Sequence, residues 1–118
     1  MNVLLSIKPK YVDEIKKGTK KYEFRKTLSN ERTRYKIEKI FIYSSAPVQK
    51  IVARFFIEDI LEDHPKNLWE RCKDFSGVEK GEFFHYFKNK ERGLAIKITK
   101  LNYQHLKELD SCFPDHGT

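Results

Sequence analysis

Short apolar stretches of two different periods follow one another along this chain, and that alternation is the strongest limit on its fold. Val3-Leu4-Leu5-Ser6-Ile7 reads as a short buried strand, whereas Tyr11, Val12 and Ile15 recur at the spacing of one helical face. Pro9 suits the first turn of that helix, where its missing N–H goes unused. Lys16 and Lys17 suit the negative end, and Gly18 suits the residue just past it. From Lys21 to Arg25 charge and aromatics alternate, with Tyr22 and Phe24 on one side and Glu23 and Arg25 on the other, which predicts a half-buried strand. Ile37 and the run from Ile40 to Tyr43 form the next strand, broken by Ser44-Ser45-Ala46-Pro47. Between Ile51 and Leu61 the pattern slips near Phe55-Phe56, as a bulge in a bent strand would make it do. Pro65 opens a second short helix with Leu68, Trp69 and Cys72 on one face, and Ser76-Gly77 ends it. Val78 to Phe87 is predicted helical with Phe83, Phe84 and Phe87 directed inward. Leu94, Ile96 and Ile98 then alternate with Ala95, Lys97 and Thr99 as a last strand. Leu28 to Arg34 is read as a mobile charged loop, and Ser111 to Thr118 as a frayed tail.

Strands and helices are too closely interleaved for an all-β sandwich and lack the regular alternation of a doubly wound sheet. The pattern predicts an α+β fold, a small, strongly bent sheet or partly closed β-barrel of about five strands with short helices at its side. With 118 residues the chain fits one domain, placed at residues 1–110. Aromatics at 14% supply a core without staples, and two cysteines, Cys72 and Cys112, are too few for a disulfide framework. No apolar run reaches the ~20 residues of a spanning helix. The expectation is a reduced, cytoplasmic protein with no membrane partner.

The charge is lopsided. Residues 1–50 hold 13 basic and 5 acidic side chains, a balance of +8, and residues 51–118 hold 11 and 12, a balance of −1. An excess confined to one half suggests a basic face suited to a polyanion, with a merely lysine-rich surface as the equal alternative.

Several chemistries lack their residues. There is no Gly-rich nucleotide loop followed by Lys-Ser or Lys-Thr, and no paired-histidine zinc motif. His64, His85, His105 and His116 are scattered, so no metal and no cofactor is expected. The positive signal is Gly18-Thr19-Lys20-Lys21-Tyr22-Glu23-Phe24-Arg25, a G-x-K-x-x-E-x-R element where a helix ends and a strand begins. Glu23 and Arg25 must share a strand face, and Lys20 can join them only while it still belongs to the turn. A guanidinium fork, a mobile ammonium and a carboxylate acceptor would then converge, a mixture that suits a base edge plus a sugar or phosphate. Spacing alone favours the plainer reading, an ion-pair cluster that fixes the turn.

This octapeptide resembles the signature of the ASCH family, the activating-signal-cointegrator homology domains. Ser6-Ile7-Lys8-Pro9 resembles the family's opening strand and turn, and Tyr43-Ser44-Ser45-Ala46-Pro47 its second cleft-lining strand end. Glu82-Phe83-Phe84-His85-Tyr86-Phe87 with Gly93-Leu94-Ala95-Ile96 resembles its late helix and closing strand. The resemblance implies a PUA-like barrel and a cleft beside it that takes RNA or a nucleoside- or nucleotide-like ligand. Carried over by position, Gly18, Lys20, Glu23 and Arg25 would line that cleft, with Lys8, Tyr43, Ser44 and Ser45 as neighbours. Tyr43 and Tyr86 would either stack on a base or only pack, and Phe83 is read as core.

Three function classes follow. The first is a module that binds single-stranded RNA through its basic half and reads one unstacked base. The second is a small hydrolase using Lys20 and Glu23. A branch similar to this family removes the acetyl group of N4-acetylcytidine with a lysine and a threonine; Lys20 keeps the lysine, but Glu23 stands in the threonine's place. A ribonuclease would instead set Lys20 and Arg25 on the phosphorane with Glu23 as base. The third is a protein-interaction domain, for which no exposed apolar face speaks and no partner is identified.

Overall fold

In a computed structural model, which describes residues 2–28 and 34–102, the chain forms five strands and three helices. The strands are β1 (Asn2–Ile7), β2 (Tyr22–Arg25), β3 (Lys39–Ser44), β4 (Lys50–Asp63) and β5 (Gly93–Asn102). The helices are α1 (Pro9–Lys17), α2 (Pro65–Cys72) and α3 (Lys80–Tyr86), with short 3-10 turns at Arg34–Lys36 and Lys73–Phe75. Most of the charged loop predicted over residues 28–34, and the whole tail predicted over 111–118, lie outside the described residues.

The sheet order is β1-β3-β4-β5-β2, a curled half-barrel in which β1 pairs β3 in parallel and every other pair is antiparallel. This is the expected α+β, PUA-like architecture. Its curl comes from β4. Fourteen residues long, β4 pairs β3 along its first half and β5 along its second, and its register slips between Arg54 and Phe56 and again between Ile57 and Asp59. At the first slip the extra residue belongs to β5, and at the second it is Glu58 of β4, so both strands bend. The bulged residue of β4 thus lies just beyond Phe55-Phe56, where the sequence pattern slips.

Side-chain alternation sends Leu5, Ile7, Ile40, Ile42, Phe55, Leu94 and Ile96 to the concave face, where Val12 and Ile15 of α1 close over them. A second cluster forms on the opposite face of β2 and β5, where Phe24 and Ala95 meet Leu68 and Cys72 of α2 and Phe83 and Phe87 beside α3. Two readings are corrected here. β1 is buried on one face only: Leu5 and Ile7 enter the core, while Leu4 on the other face has nothing packed over it among the described residues and stays exposed. β2 is covered on both faces rather than half-buried: α2 and α3 dock on the Phe24 face, and Glu23, on the face the alternation left for solvent, is also buried between Lys20 and Arg25. The third helix is also shorter than predicted, starting at Lys80.

Local signals set the helix ends. Gly18 takes φ 80° and donates its N–H back to the last turn of α1, a left-handed cap that a side chain would oppose. His64 caps α2, its Nδ1 accepting the Lys66 N–H at 3.1 Å, so it is a structural histidine. Among the described residues no group of His, Cys, Asp or Glu is placed to hold a metal ion, and no helix is long and apolar enough to cross a membrane.

Candidate functional site

The left-handed turn at Gly18 reverses the chain so that Lys20 enters β2 pointing back under α1. Its backbone bridges Ser76, its Nζ donates to the Ser76 carbonyl at 2.9 Å, and only 2% of the residue is exposed. Gly77 makes this passage possible. A Cβ built there would stand 2.3 Å from the Lys20 Cβ, so the loop after α2 can cross the lysine stem only as glycine. The ammonium lies 4.8 Å from the centroid of Phe24 and 5.5 Å from that of Tyr11.

Glu23 sits between two cations. Its Oε1 is 3.8 Å from Lys20 Nζ, while its Oε2 accepts from Arg25 Nε at 2.9 Å with the Arg25 terminal nitrogen at 2.8 Å. That nitrogen also donates to the Ser6 carbonyl of β1 at 2.7 Å, tying the two edge strands together. The predicted convergence of ammonium, guanidinium and carboxylate is present, and it is buried rather than displayed. Glu23 is 6% exposed and its oxygens are already engaged, so its first role is to neutralise its neighbours. Burial pushes the Lys20 amine below its ordinary proton affinity; Glu23 opposes the shift and Arg25 adds to it.

A cavity of about 350 Å³ opens beside this cluster. Lys8, Ser6 and Ile7 line it from the end of β1, and Lys20, Glu23, Phe24 and Arg25 from β2. Tyr11 lines it from α1, and Glu82, Phe83, His85 and Tyr86 from α3. Phe83 is 2% exposed and packs edge-on against Phe24 with centroids 4.9 Å apart, so it is core that also walls the cavity. Tyr86 is 38% exposed at the rim, where its hydroxyl accepts the Lys26 N–H at 3.2 Å and Lys26 Nζ lies 4.8 Å over its ring. Opposite, Glu82 Oε2 accepts from the Tyr11 hydroxyl and pairs with Lys10 Nζ at 3.0 Å, contacts that hold the Glu82 carboxyl below the usual carboxylate range.

Of the residues singled out from sequence, Lys8, Lys20, Glu23 and Arg25 meet at this cavity, and Gly18, Tyr43, Ser44 and Ser45 do not line it. Gly18 acts one step away by turning the chain. Tyr43 leaves β3 on the face shared with Phe41 and Ile51. Ser44 is buried in register with Ile7, and Ser45 donates its N–H to the Ile7 carbonyl at 3.0 Å, behind β1. Thr19 is tied to Glu14 of α1 through its hydroxyl. Sequence reasoning missed Tyr11, Glu82 and Gly77. Tyr11 was read only as part of an apolar face and Gly77 only as a breaker.

A family model described as the ASCH domain matches residues 5–103. Among curated proteins, an ASCH domain-containing ribonuclease of Zymomonas mobilis subsp. mobilis is 24% identical over 116 residues, spanning 93% of this chain and 76% of the relative. The crystal structure of ASCH from Zymomonas mobilis superposes with a TM-score of 0.74 at 21% identity, covering 95% of this chain and 78% of that one. A tyrosine-to-phenylalanine variant of the same protein gives 0.74 at 20% identity, covering 95% and 81%. At such identities the structural likeness speaks for the shared fold.

Proposed function

The chain belongs to the ASCH domain family, and from that premise we propose that it binds single-stranded RNA and takes one unstacked nucleotide into the cavity beside β2. The observation that carries this reading is the convergence of Lys8, Lys20 and Arg25 on an aromatic-walled cavity of about 350 Å³. Small-molecule sites occupy roughly 300–1,000 Å³, so this one suits a base and its sugar rather than a duplex. Double-stranded grooves are read by shape across a broad surface, whereas splayed bases are read in pockets lined by aromatic and cationic groups. Tyr86 at the rim offers a face for stacking, and the Lys26 ammonium beside it lies where a phosphate would run. The ribonuclease-named relative supports an RNA ligand.

The test is a fluorescence titration of short single-stranded RNA at several salt concentrations. Log affinity should fall linearly with log salt, and Lys8→Gln should make the slope shallower by about 0.7 for the one lost phosphate contact. A flat salt response would overturn the reading.

One observation favours a second reading, hydrolysis of the bound nucleotide: Lys20 has a lowered proton affinity and lies beside Glu23 and Arg25. An amine that sheds its proton more readily can serve as base or nucleophile. Cleavage of labelled RNA, or deacetylation of N4-acetylcytidine, that is lost in Lys20→Met with the fold retained would carry this reading over simple binding.

A further inference from the structure

One edge of this cavity is main chain of β2. Because β2 ends the sheet order, β5 is its sole strand neighbour. The Ile98 N–H donates to the Lys21 carbonyl at 2.9 Å and so sets the phase of the β2–β5 ladder. Antiparallel pairs alternate between bonded and non-bonded residues. Glu23 with Ile96 and Arg25 with Leu94 are therefore the bonded pairs, and the peptide groups of Tyr22 and Phe24 turn away from β5. The outer edge of this segment is occupied on both sides of Phe24. The Lys21 N–H reaches the Phe75 carbonyl at 2.8 Å, and the Lys26 N–H reaches the Tyr86 hydroxyl at 3.2 Å. Between them, the N–H and C=O of Phe24 make no hydrogen bond among the described residues.

The cavity lies off that edge. Glu23 and Arg25 leave one face of β2 and Phe24 leaves the other, yet all three line it. A space that touches side chains from both faces of a strand lies beside the strand, not above it. Main-chain groups aimed into a partly enclosed space need partners, since leaving them dry costs as much as a lost hydrogen bond.

We propose that the Phe24 N–H and C=O read the Watson–Crick edge of the nucleotide base, which adds to β2 as a further strand would. This rests on the RNA-binding reading and names the part of the nucleotide that enters. An extended residue presents one donor and one acceptor side by side in one plane. A base that carries an adjacent acceptor and donor, as uracil does at O4 and N3–H and adenine at N1 and the N6 amine, complements that pair. A base already paired in a duplex has spent this edge, which is why the site selects single strands. A base methylated on it has lost the donor.

The experiment compares hexamers of uridine and adenosine with hexamers of 3-methyluridine and N6,N6-dimethyladenosine, all neutral at the base. Methylation is expected to weaken binding about tenfold or more, because the Phe24 carbonyl then stays buried without a donor. In a second arm the Phe24 residue is replaced by phenyllactic acid in semisynthetic protein, which exchanges only its N–H for an ester oxygen. That protein should fold and melt slightly below the parent, because the ester also weakens the Glu23 carbonyl opposite Ile96, and, measured well below that melting temperature, it should bind both parent hexamers about tenfold more weakly. Parent and methylated hexamers binding alike, or the ester binding like the amide, would overturn main-chain reading and leave RNA binding intact. No binding to any hexamer would overturn the RNA-binding reading itself.

Discussion

Substituting Gly77 by alanine tests how tightly the Lys20 side chain is clamped. Two costs add at this position. Gly77 has φ 65°, in the left-handed region where a Cβ costs about 1–2 kcal/mol. The new Cβ would also stand 2.3 Å from Lys20 Cβ and 2.7 Å from Cγ, and forced overpacking of this kind costs about 1–3 kcal/mol. The expected loss is about 2–5 kcal/mol, a large share of the ~5–15 kcal/mol that holds a domain together. Gly18→Ala is the control: its φ of 80° carries the same conformational cost, but nothing lies within 4 Å of the added atom, so its loss should stop at about 1–2 kcal/mol. Urea unfolding of both variants, followed by circular dichroism with matched slopes, reads the difference. Lys20→Ala should not rescue Gly77→Ala, because the nearest contact is with the Cβ that alanine keeps. Equal losses at positions 77 and 18 would refute the clamp.

Lys20→Met should change the pH dependence of stability in a fixed direction. Burial lowers the affinity of the Lys20 amine for its proton, so the native chain binds that proton less tightly than the unfolded chain. The resulting penalty is complete below the lowered native value and fades as pH rises from there toward the ordinary lysine value of 10.5, so wild type should gain on Lys20→Met over that interval. A difference between the two that stays constant would contradict it. Burial also pushes the Cys72 thiol up from 9.0 to about 11, which leaves about a hundredfold less thiolate at mildly alkaline pH. In a Cys112→Ser background, iodoacetamide should therefore label native protein at least that much more slowly than urea-unfolded protein. Phe83→Ala removes the ring that meets Phe24, Trp69, Phe84 and Phe87 at centroid distances of 4.9–5.1 Å, and should cost about 3–5 kcal/mol in the same urea assay.

The G-x-K-x-x-E-x-R element could be read because its geometry is local. A glycine turn followed by alternation fixes where Lys20, Glu23 and Arg25 must point, whatever else the chain does. That β4 is bent by a bulge was legible as a slip in a two-residue period, although the extra residue is Glu58 rather than one at Phe55-Phe56. What escaped depends on contacts between distant segments. Glu23 lies buried between Lys20 and Arg25 and opposite Ile96 of β5, and Phe24 is buried because α2 and α3, some fifty residues later, cover its face. Tyr11 meets Glu82 across 71 residues, and Gly77 meets Lys20 across 57, separations that no local period reports. Tyr43 was misplaced for a subtler reason. Tyr43 shares the β3 face of Phe41 and packs with Ile51. That β3 contributes nothing to the cavity wall depends on where β1 and β2 lie in the sheet order, which a hydrophobic pattern does not report.

The bond from Arg25 to the Ser6 carbonyl has a consequence beyond the cavity. In an open sheet the two terminal strands are the places where another molecule of the same protein can attach and begin a fibre. Here one guanidinium of β2 bonds the β1 main chain, so the two terminal strands are held to each other by a side chain rather than by a strand ladder. A side chain that lines the cavity is thus also the clasp between the two ends of the sheet.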